Sequence, residues 1–326
     1  MSNHTAVITG STAGLGAAFA RQLAAQGYDL VLVARDGDRL RMQAESMSSQ
    51  YGVGTSVIVA DLVTDDGVAA VQERLADRTH PVHLLVNNAG HGLAADFIDS
   101  ELEDERRLLR LHVQTTLELS HTAASAMARR RGGRIINVAS VAGYTPTGTY
   151  SAAKAWVINF SKGLHNQLRS RGVTVTALVP GLVRTEFHQR SGIRIKSAKR
   201  WMWLEADDVV REALTANAQG AAICVPARSY QMLTAGLRFM PDSMVQWAME
   251  KRTGGSEQAG LEQGGSEADP TMQHGAPGTA EYGTSADGTA EPTTEAINTV
   301  DAYKAAKAKS TAKAGRGRDT PPPPPA

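Results

Sequence analysis

The chain has 326 residues, of which 42% are hydrophobic and 21% are charged, so it can bury a sizeable core. The formal net charge of +1 provides no global field that would attract nucleic acid or an acidic membrane, and nucleic acid is therefore not expected as a partner. The one cysteine, Cys224, excludes an internal disulfide framework.

The first residues and the lengths of the apolar runs indicate the cellular compartment of the protein. Residues 1–5 lack a basic stretch followed by a long apolar one, so no secretory signal is expected. No apolar run approaches the roughly 18 residues of a membrane-spanning helix, so no membrane span is expected. Together with the single cysteine, these observations predict a cytoplasmic protein.

From Thr5 to Cys224, short apolar runs alternate with longer stretches of helical periodicity, the pattern of repeated β-α units. The runs are rich in Val, Ile and Leu with little polar alternation, as expected when helices cover both faces of a parallel sheet. Seven strands are predicted: Thr5–Thr9, Asp29–Ala34, Gly54–Ala60, His83–Val86, Arg134–Ala139, Val173–Val179 and Ala221–Cys224. The predicted fold class is α/β, a single Rossmann-like doubly wound domain with a seven-stranded parallel sheet over residues 1–252.

A glycine-rich turn joins the first strand to the first predicted helix. Backbone without Cβ can approach a pyrophosphate closely, and the free N–H groups and the dipole of the helix start favour negative charge. Gly-rich turns also serve simple chain reversal, but the position between a strand and a helix favours a dinucleotide site. The predicted contacts are Gly10, Ser11, Thr12, Gly14, Leu15 and Gly16.

Residues at the end of the second strand indicate whether the coenzyme is NAD or NADP. Arg35 comes first after the strand, where an arginine accommodates the 2′-phosphate of NADP, whereas an acidic residue there accepts from the ribose of NAD. We therefore favour NADP(H) over NAD(H). The alternative is that Arg35 is solvated and that Asp36 only caps the next helix.

Two further strand ends carry turn-forming and small residues. Asp61 and Leu62 close the third strand, and Asn88, Ala89 and Gly90 follow the fourth. Asp61 is expected to accept from the adenine amino group, and the small residues let the coenzyme ribose approach the backbone. Each end alone would be an ordinary turn, but their coincidence at one sheet edge favours coenzyme contacts.

A possible proton-transfer pair follows the fifth strand. Tyr150 and Lys154 are four residues apart at the start of a predicted helix and therefore share one of its faces. A phenol has a pKa of about 10, and a neighbouring ammonium is expected to lower it enough for proton exchange near neutral pH. Ser140, at the strand end, is placed to polarise a carbonyl oxygen. A chance surface pair is the alternative for Tyr150 and Lys154.

With these motifs in place, the sequence resembles the short-chain dehydrogenase/reductase family from about Thr5 to Pro226. The resemblance rests on Thr-Gly-x-x-x-Gly-x-Gly at 9–16, Asn-Asn-Ala-Gly at 87–90, Ser140, Tyr150, Lys154 and Pro-Gly at 180–181. It implies that Tyr150 is the acid/base, that Lys154 also binds the nicotinamide ribose, and that Ser140 positions the substrate. It further implies that Pro180, Gly181, Val183 and Thr185 border the nicotinamide and its phosphates.

One position departs from the family pattern. His112 stands where most members carry a catalytic asparagine, which is thought to hold a water that links the lysine to solvent. An imidazole can donate and accept, so we expect His112 to maintain such a proton relay. The alternative is a helix histidine that is satisfied locally.

The segment after Pro180-Gly181, residues 185–205, is expected to cover the substrate. Its apolar side chains, Phe187, Ile193, Ile195, Trp201, Met202 and Trp203, predict a hydrophobic carbonyl or alcohol. Its cations either meet an acidic or acyl-carrier group or are merely solvated. Gly-Thr-Tyr-Ser-Ala-Ala-Lys-Ala-Trp at 148–156, together with this segment, is similar to actinobacterial reductases of long acyl chains.

The C-terminal third divides into two predicted parts. Residues 232–250 form an amphipathic helical segment broken at Pro241, expected to pack in the core or in a homo-oligomer, with membrane-surface association as the alternative. Residues 253–326 are dominated by Gly, Ser, Glu, Thr, Ala and Pro and are predicted to be disordered, because they cannot bury enough apolar area. A basic or proline-rich end that docks a partner is the minority interpretation.

These observations predict an NADPH-dependent oxidoreductase that interconverts a hydrophobic carbonyl and a secondary alcohol, without a metal site. Two alternatives stay open. The chain is a coenzyme-binding regulator with little catalysis, or it is a nucleotide-sugar epimerase or dehydratase that shares the fold and the Tyr-Lys pair.

Overall fold

The computed structural model describes residues 4–93, 95–186 and 200–239, with the backbone alone at 201 and 237–239. The predictions for most of the substrate-covering segment, for residues 240–250 and for the tail at 253–326 lie outside the described residues.

Seven parallel strands form the central sheet, in the order β3-β2-β1-β4-β5-β6-β9. Val, Ile and Leu side chains are buried in the inner strands, because helices cover both faces, whereas the edge strand Thr55–Val59 has no fully buried residue. The strands are β1 Thr5–Thr9, β2 Asp29–Ala34, β3 Thr55–Val59, β4 Val82–Asn87, β5 Gly133–Val138, β6 Val173–Leu178 and β9 Ile223–Cys224, with β7 Leu182–Val183 and β8 Trp203–Leu204 in a separate parallel pair. The predicted sheet is confirmed, and each of its strands lies within two residues of its predicted bounds.

The described residues form eight α-helices, and buried side chains assign six of them to the two faces of the sheet. The eight are α1 Gly14–Ala25, α2 Gly37–Tyr51, α3 Asp65–Ala76, α4 Leu102–Leu109, α5 Thr116–Arg129, α6 Thr149–Leu168, α7 Ala206–Ala218 and α8 Arg228–Phe239. Helices α1, α2 and α7 pack on one face of the sheet, and α3, α5 and α6 pack on the other. Strand order reverses between β1 and β4, which opens a crevice at the carboxyl ends of the strands where ligands of such sheets bind.

A buried polar network joins the sheet to the second helical layer. Asn87 of β4 donates to Asn137 Oδ1 of β5 at 2.8 Å and to Ser120 Oγ of α5 at 3.0 Å, and Asn137 donates to Ser161 Oγ of α6 at 2.9 Å. All four side chains are buried. Because the loss of one partner would leave another buried group unsatisfied, the network fixes α5 and α6 against the sheet.

The C-terminal helix differs from its prediction. It begins at Arg228, four residues before the predicted segment, and Met232 is 72% exposed while Tyr230 is buried at 3%. Met232 therefore belongs to the surface of this chain and Tyr230 to its interior. None of the helices in the described part of the chain is long and apolar enough to cross a membrane.

Candidate active site

The glycine-rich turn lies at the carboxyl edge of the sheet, between β1 and α1. Gly10 has a φ of +64°, and a Cβ on Gly16 would lie 2.1 Å from Gly10 O and 2.6 Å from Asn88 Nδ2. Such distances are far inside van der Waals contact, so only glycine fits at position 16. The turn is thereby closed on itself, with its backbone exposed to a ligand in place of side chains.

Side chains from neighbouring strand ends hold this turn. Asn88 Nδ2 donates to Thr9 O at 2.9 Å and to Gly10 O at 3.1 Å, and Thr9 Oγ1 accepts from the backbone N–H groups of Asn88 and Ala89. From α2, Gln43 Nε2 donates to Ser11 O at 2.9 Å. Thr9 opens the predicted glycine motif without an assigned contact, and Gln43 was not predicted, since both roles depend on contacts across elements.

The start of α1 fits a phosphate group. Ala13, the residue that precedes the helix, provides no side-chain cap for its first N–H groups. Ser11 is fully buried, and its Oγ has no hydrogen-bond partner within the described residues. Thr185 lies over the same place, since a Cβ on Gly14 would be 3.1 Å from Thr185 Cβ. Free donors, the helix dipole and space without side chains are what a pyrophosphate requires, so these residues fit a dinucleotide.

The end of β2 presents more positive charge than the sequence analysis assigned to it. Asp36 Oδ1 accepts from Arg39 N at 3.0 Å and so caps α2, as the alternative interpretation expected, while Arg35 is exposed. Arg39 Nη2 lies 3.3 Å from Thr12 O in the glycine-rich turn and 3.4 Å from Glu186 Oε1. Arg39 was missed, although its place four residues after Arg35 at a helix start was a usable signal.

The third strand end also reaches this edge. Asp61 is half-buried, with its Oδ2 3.8 Å from Arg107 Nη2, and Leu62 O accepts from Thr115 Oγ1 at 2.6 Å. The latter bond ties β3 to the end of the helical turn that carries His112. Gly90, at the fourth strand end, is exposed. The predicted coenzyme residues of all four strand ends therefore lie along one edge of the sheet.

Tyr150, Lys154 and Ser140 converge beside this edge. Lys154 is 5% exposed, and its Nζ donates to Val138 O at 2.8 Å and lies 5.6 Å from the centroid of the Tyr150 ring. Ser140 hydrogen-bonds Tyr150 and accepts from Ala142 N at 3.1 Å. The structure thus brings together the three side chains that the sequence predicted to act as a group.

A close approach between two elements sets this geometry. The 3₁₀ turn Val141–Tyr144 lies against α6, where a Cβ on Gly143 would be 2.8 Å from Ala155 N and from Lys154 C. Because Gly143 has no side chain, the turn that begins at Ser140 can contact the α6 backbone directly. This contact fixes Ser140 relative to Lys154.

Burial dominates the protonation of the Tyr-Lys pair. It raises the pKa of Tyr150 to about 12, opposed by the hydrogen bond with Ser140, and it lowers the pKa of Lys154 to about 7. The lowering of the Tyr150 pKa by Lys154 therefore stays a prediction, since loss of solvent is the largest effect on the phenol in this structure. Both side chains favour their uncharged forms, and Lys154 exchanges protons near neutral pH.

His112 lies next to this pair on a π-helical turn, Arg110–Thr115, inserted between α4 and α5. It is 2% exposed, and its ring meets the Tyr150 ring edge-on with centroids 5.5 Å apart. Its Nε2 lies 2.7 Å from His91 O and 3.2 Å from His91 N, contacts that need opposite tautomers. The shorter contact favours a proton on Nε2 that is donated to His91 O, which leaves Nδ1 as an acceptor. π-Helical turns are frequent at functional sites.

Burial and the charge of Lys154 hold the pKa of His112 well below its usual range. Below pH 6.5 the unfolded chain therefore binds a proton that the folded chain excludes. The free energy of unfolding then decreases as the pH is lowered, by up to about 1.4 kcal/mol per pH unit. We expect His112→Asn to remove this contribution, so that its stability falls less steeply on acidification than that of the wild type.

Urea unfolding at a series of pH values from about 7 down to about 5 measures this effect. His121→Asn, at an exposed histidine of α5, is the control and is expected to follow the wild type. Identical slopes for the wild type and His112→Asn would show that His112 titrates as it does in the unfolded chain.

The predicted nicotinamide border follows β6. Pro180 is buried, and its carbonyl accepts from Val141 N at 3.0 Å, which joins this segment to the turn that begins at Ser140. Val183 is buried in β7, whose partner strand β8 was not predicted because two-residue strands leave no periodic pattern. Phe187, Ile193 and Ile195 of the predicted substrate cover lie outside the described residues, whereas Met202 and Trp203 are half-buried.

Known proteins are similar to this chain in sequence. A model of the short chain dehydrogenase family matches residues 4–194. The chain is 31% identical over 183 residues to 3-oxoacyl-(acyl-carrier-protein) reductase FabG of Aquifex aeolicus, covering 55% of this chain and 74% of that protein. It is 33% identical over 199 residues to the very-long-chain 3-oxoacyl-CoA reductase of Anas platyrhynchos, covering 57% of this chain and 62% of that one.

Solved structures show the same similarity. A short-chain dehydrogenase from Sphingobium yanoikuyae in complex with NADPH has a TM-score of 0.66 and 29% identity, covering 81% of this chain and 98% of that one. A bulky-bulky ketone specific alcohol dehydrogenase from Comamonas testosteroni has a TM-score of 0.63 and 26% identity. The match covers 82% of this chain and 98% of that one. L-sorbose reductase from Gluconobacter frateurii, complexed with NADPH and L-sorbose, has a TM-score of 0.61 and 27% identity, covering 69% and 95%.

Proposed function

The chain belongs to the short-chain dehydrogenase family, and on this basis we propose that it is an NADPH-dependent oxidoreductase that interconverts a carbonyl and a secondary alcohol. The observation that carries the proposal is the convergence of Tyr150, Lys154 and Ser140 beside the glycine-rich turn. Lys154 is buried and Tyr150 is half-buried at the crevice of the sheet, which argues against a chance surface occurrence of the Tyr-x-x-x-Lys spacing.

Bound NADPH would supply the hydride, and the chain would manage the charge on the substrate oxygen. In the reducing direction, the Ser140 hydroxyl donates a hydrogen bond to the carbonyl oxygen, and Tyr150 gives that oxygen its proton. Lys154, with a pKa of about 7, returns a proton toward Tyr150. His112 takes the place of the family asparagine: its Nδ1, as an acceptor, would hold a water, and the replacement proton would reach Lys154 through that water while the ring stays neutral. Oxidation runs through the same steps reversed.

The proposed preference for NADP(H) rests on charge at the end of β2. Arg35 is exposed, and Asp36 is engaged as the cap of α2 rather than turned toward a ribose. Arg39 adds a second cation beside Thr12. Charge-assisted hydrogen bonds of this kind contribute about 1.5–3 kcal/mol each, enough for a preference of tenfold or more over NADH.

We expect Arg35→Ala to weaken NADPH binding by about 10- to 100-fold and to leave NADH binding nearly unchanged, because only NADPH has the 2′-phosphate. Fluorescence titration of each coenzyme measures both dissociation constants. Arg41→Ala, at an exposed arginine of α2 paired with Asp38, is the matched control and is expected to bind both coenzymes as the wild type does. An equal loss of NADPH and NADH binding in Arg35→Ala would contradict the assignment.

We further propose a hydrophobic substrate, with a long acyl chain as one class. The names of the similar proteins, 3-oxoacyl reductases and a bulky ketone dehydrogenase, support this proposal. NADPH oxidation should be followed with short- and long-chain 3-oxoacyl thioesters, bulky ketones and a nucleotide sugar. Turnover that rises with chain length or ketone bulk supports the proposal. NADPH binding without any turnover would favour a regulator, and turnover of the nucleotide sugar alone would favour an epimerase or dehydratase.

Self-association in the cytoplasm completes the proposal. The neighbouring helices α4 and α5 expose Leu102 at 59%, Leu109 at 42% and Leu117 at 43%. Large apolar side chains exposed on consecutive helices favour contact with a second copy of the chain. Sedimentation of the wild type and of Leu109→Glu tests it, since a dimer that uses this surface is weakened by the added charge.

A further inference from the structure

Tyr230, in the first turn of α8, contacts the border of the proposed site although it lies about fifty residues beyond it in the chain. It is 3% exposed. Its hydroxyl accepts from Leu182 N at 3.1 Å and donates to Met202 O at 2.7 Å. A phenol has one proton to donate and lone pairs to accept with, so one hydroxyl serves both contacts with consistent roles.

The ring of Tyr230 is matched to a glycine. A Cβ on Gly181 would lie 2.0 Å from Tyr230 Cζ, so the ring covers Gly181 at a distance that no other residue type would allow. The ring of Tyr230 thus contacts Gly181, and its hydroxyl hydrogen-bonds the next residue, Leu182. These two contacts constrain the position and the direction of the backbone at residues 181–182.

The same backbone continues into the site on both sides. Upstream, Pro180 O accepts from Val141 N, one residue after Ser140. Downstream, Leu182 and Val183 pair with Trp203 and Leu204, and Arg184 N donates to Leu204 O at 2.9 Å. The Tyr230 side chain therefore links the start of β7, at Leu182, to Met202, the residue just before β8.

We infer that Tyr230 is a positioning residue that holds the Pro180–Val183 backbone against the coenzyme and the substrate. It touches no reacting atom and acts through Gly181 and Leu182. The inference rests on the proposed function, because that segment is the proposed border of the nicotinamide. This segment would contact the ligands in the ground state and in the transition state alike, so loss of its support is expected to weaken binding more than to slow the chemical step.

Tyr230→Phe tests this role, because it keeps the ring and removes only the hydroxyl. We expect the KM for the carbonyl to rise about 5- to 10-fold and the dissociation constant of NADPH to rise about 3-fold, while kcat changes less than about 2-fold. Tyr28→Phe is the matched control. Tyr28 is also buried, and its hydroxyl accepts from Arg134 at the opposite end of the sheet, so its loss should lower the unfolding temperature without moving either constant.

The readouts separate the two proposals. If the wild type reduces no carbonyl, the proposed function fails, and the NADPH titration of Tyr230→Phe against Tyr28→Phe still decides the role of Tyr230. Equal NADPH affinity in the wild type and both variants would overturn the inference, as would a fall in kcat at constant KM. A lower unfolding temperature in both variants, with a raised KM in Tyr230→Phe alone, is the expected pattern.

Discussion

Replacing Tyr150 with phenylalanine is expected to lower kcat for carbonyl reduction by about 10²- to 10⁴-fold, the contribution typical of a positioned general acid. The side chain keeps its ring and loses only the hydroxyl that hydrogen-bonds Ser140. Because the coenzyme contacts of the glycine-rich turn are untouched, the dissociation constant of NADPH should change by less than about 3-fold. Steady-state kinetics and coenzyme titration measure the two effects separately.

Tyr51→Phe provides the control for this prediction. Tyr51 is the last residue of α2, away from Ser140 and Lys154, and its variant is expected to retain wild-type kcat. Retention of full turnover by Tyr150→Phe would contradict the assignment of Tyr150 as the general acid. A fall in NADPH affinity as large as the fall in kcat would instead assign Tyr150 to binding.

The second large effect is expected at Gly16. A methyl group there would meet Gly10 O at 2.1 Å and Asn88 Nδ2 at 2.6 Å, so Gly16→Ala forces the turn apart. Loss of two or three charge-assisted bonds to a pyrophosphate, at about 1.5–3 kcal/mol each, predicts a 10²-fold or larger rise in the dissociation constant of NADPH. Calorimetric titration of the folded variant measures it, and thermal unfolding shows whether the turn also supports the fold.

Gly163→Ala is the matched control. Gly163 is exposed in α6, and a Cβ there meets no atom within 4 Å. Alanine favours helix by about 0.8–1.0 kcal/mol over glycine, so this variant should bind NADPH normally and unfold at an equal or higher temperature. Wild-type NADPH affinity in Gly16→Ala would show that the glycine-rich turn does not bind the coenzyme.

The sheet and the coenzyme edge could be predicted because their signals are local. Each strand is a short apolar run, and Gly10, Gly14 and Gly16 stand between a strand and a helix. Tyr150 and Lys154 could be paired because four residues make one helical turn. These patterns do not depend on contacts with distant parts of the chain.

The remaining features depend on contacts between distant parts of the chain. The π-helical turn that buries His112 adds one residue to a helix and leaves the apolar pattern almost unchanged. Tyr230 reaches Gly181 only through the packing of α8. The pKa of Lys154 follows from its 5% exposure, which no local pattern reveals. Spacing therefore indicates which side chains meet, and packing decides how they titrate.

The cap at Asp36 limits how the coenzyme preference could be redesigned. An enzyme that uses NADH needs a carboxylate free to turn toward the ribose hydroxyls. Here the adjacent carboxylate already accepts from Arg39 N, and releasing it would leave the first turn of α2 without its side-chain acceptor. Removal of Arg35 alone should therefore yield an enzyme that binds both coenzymes poorly, and a true exchange would need a new acid together with a substitute acceptor for α2.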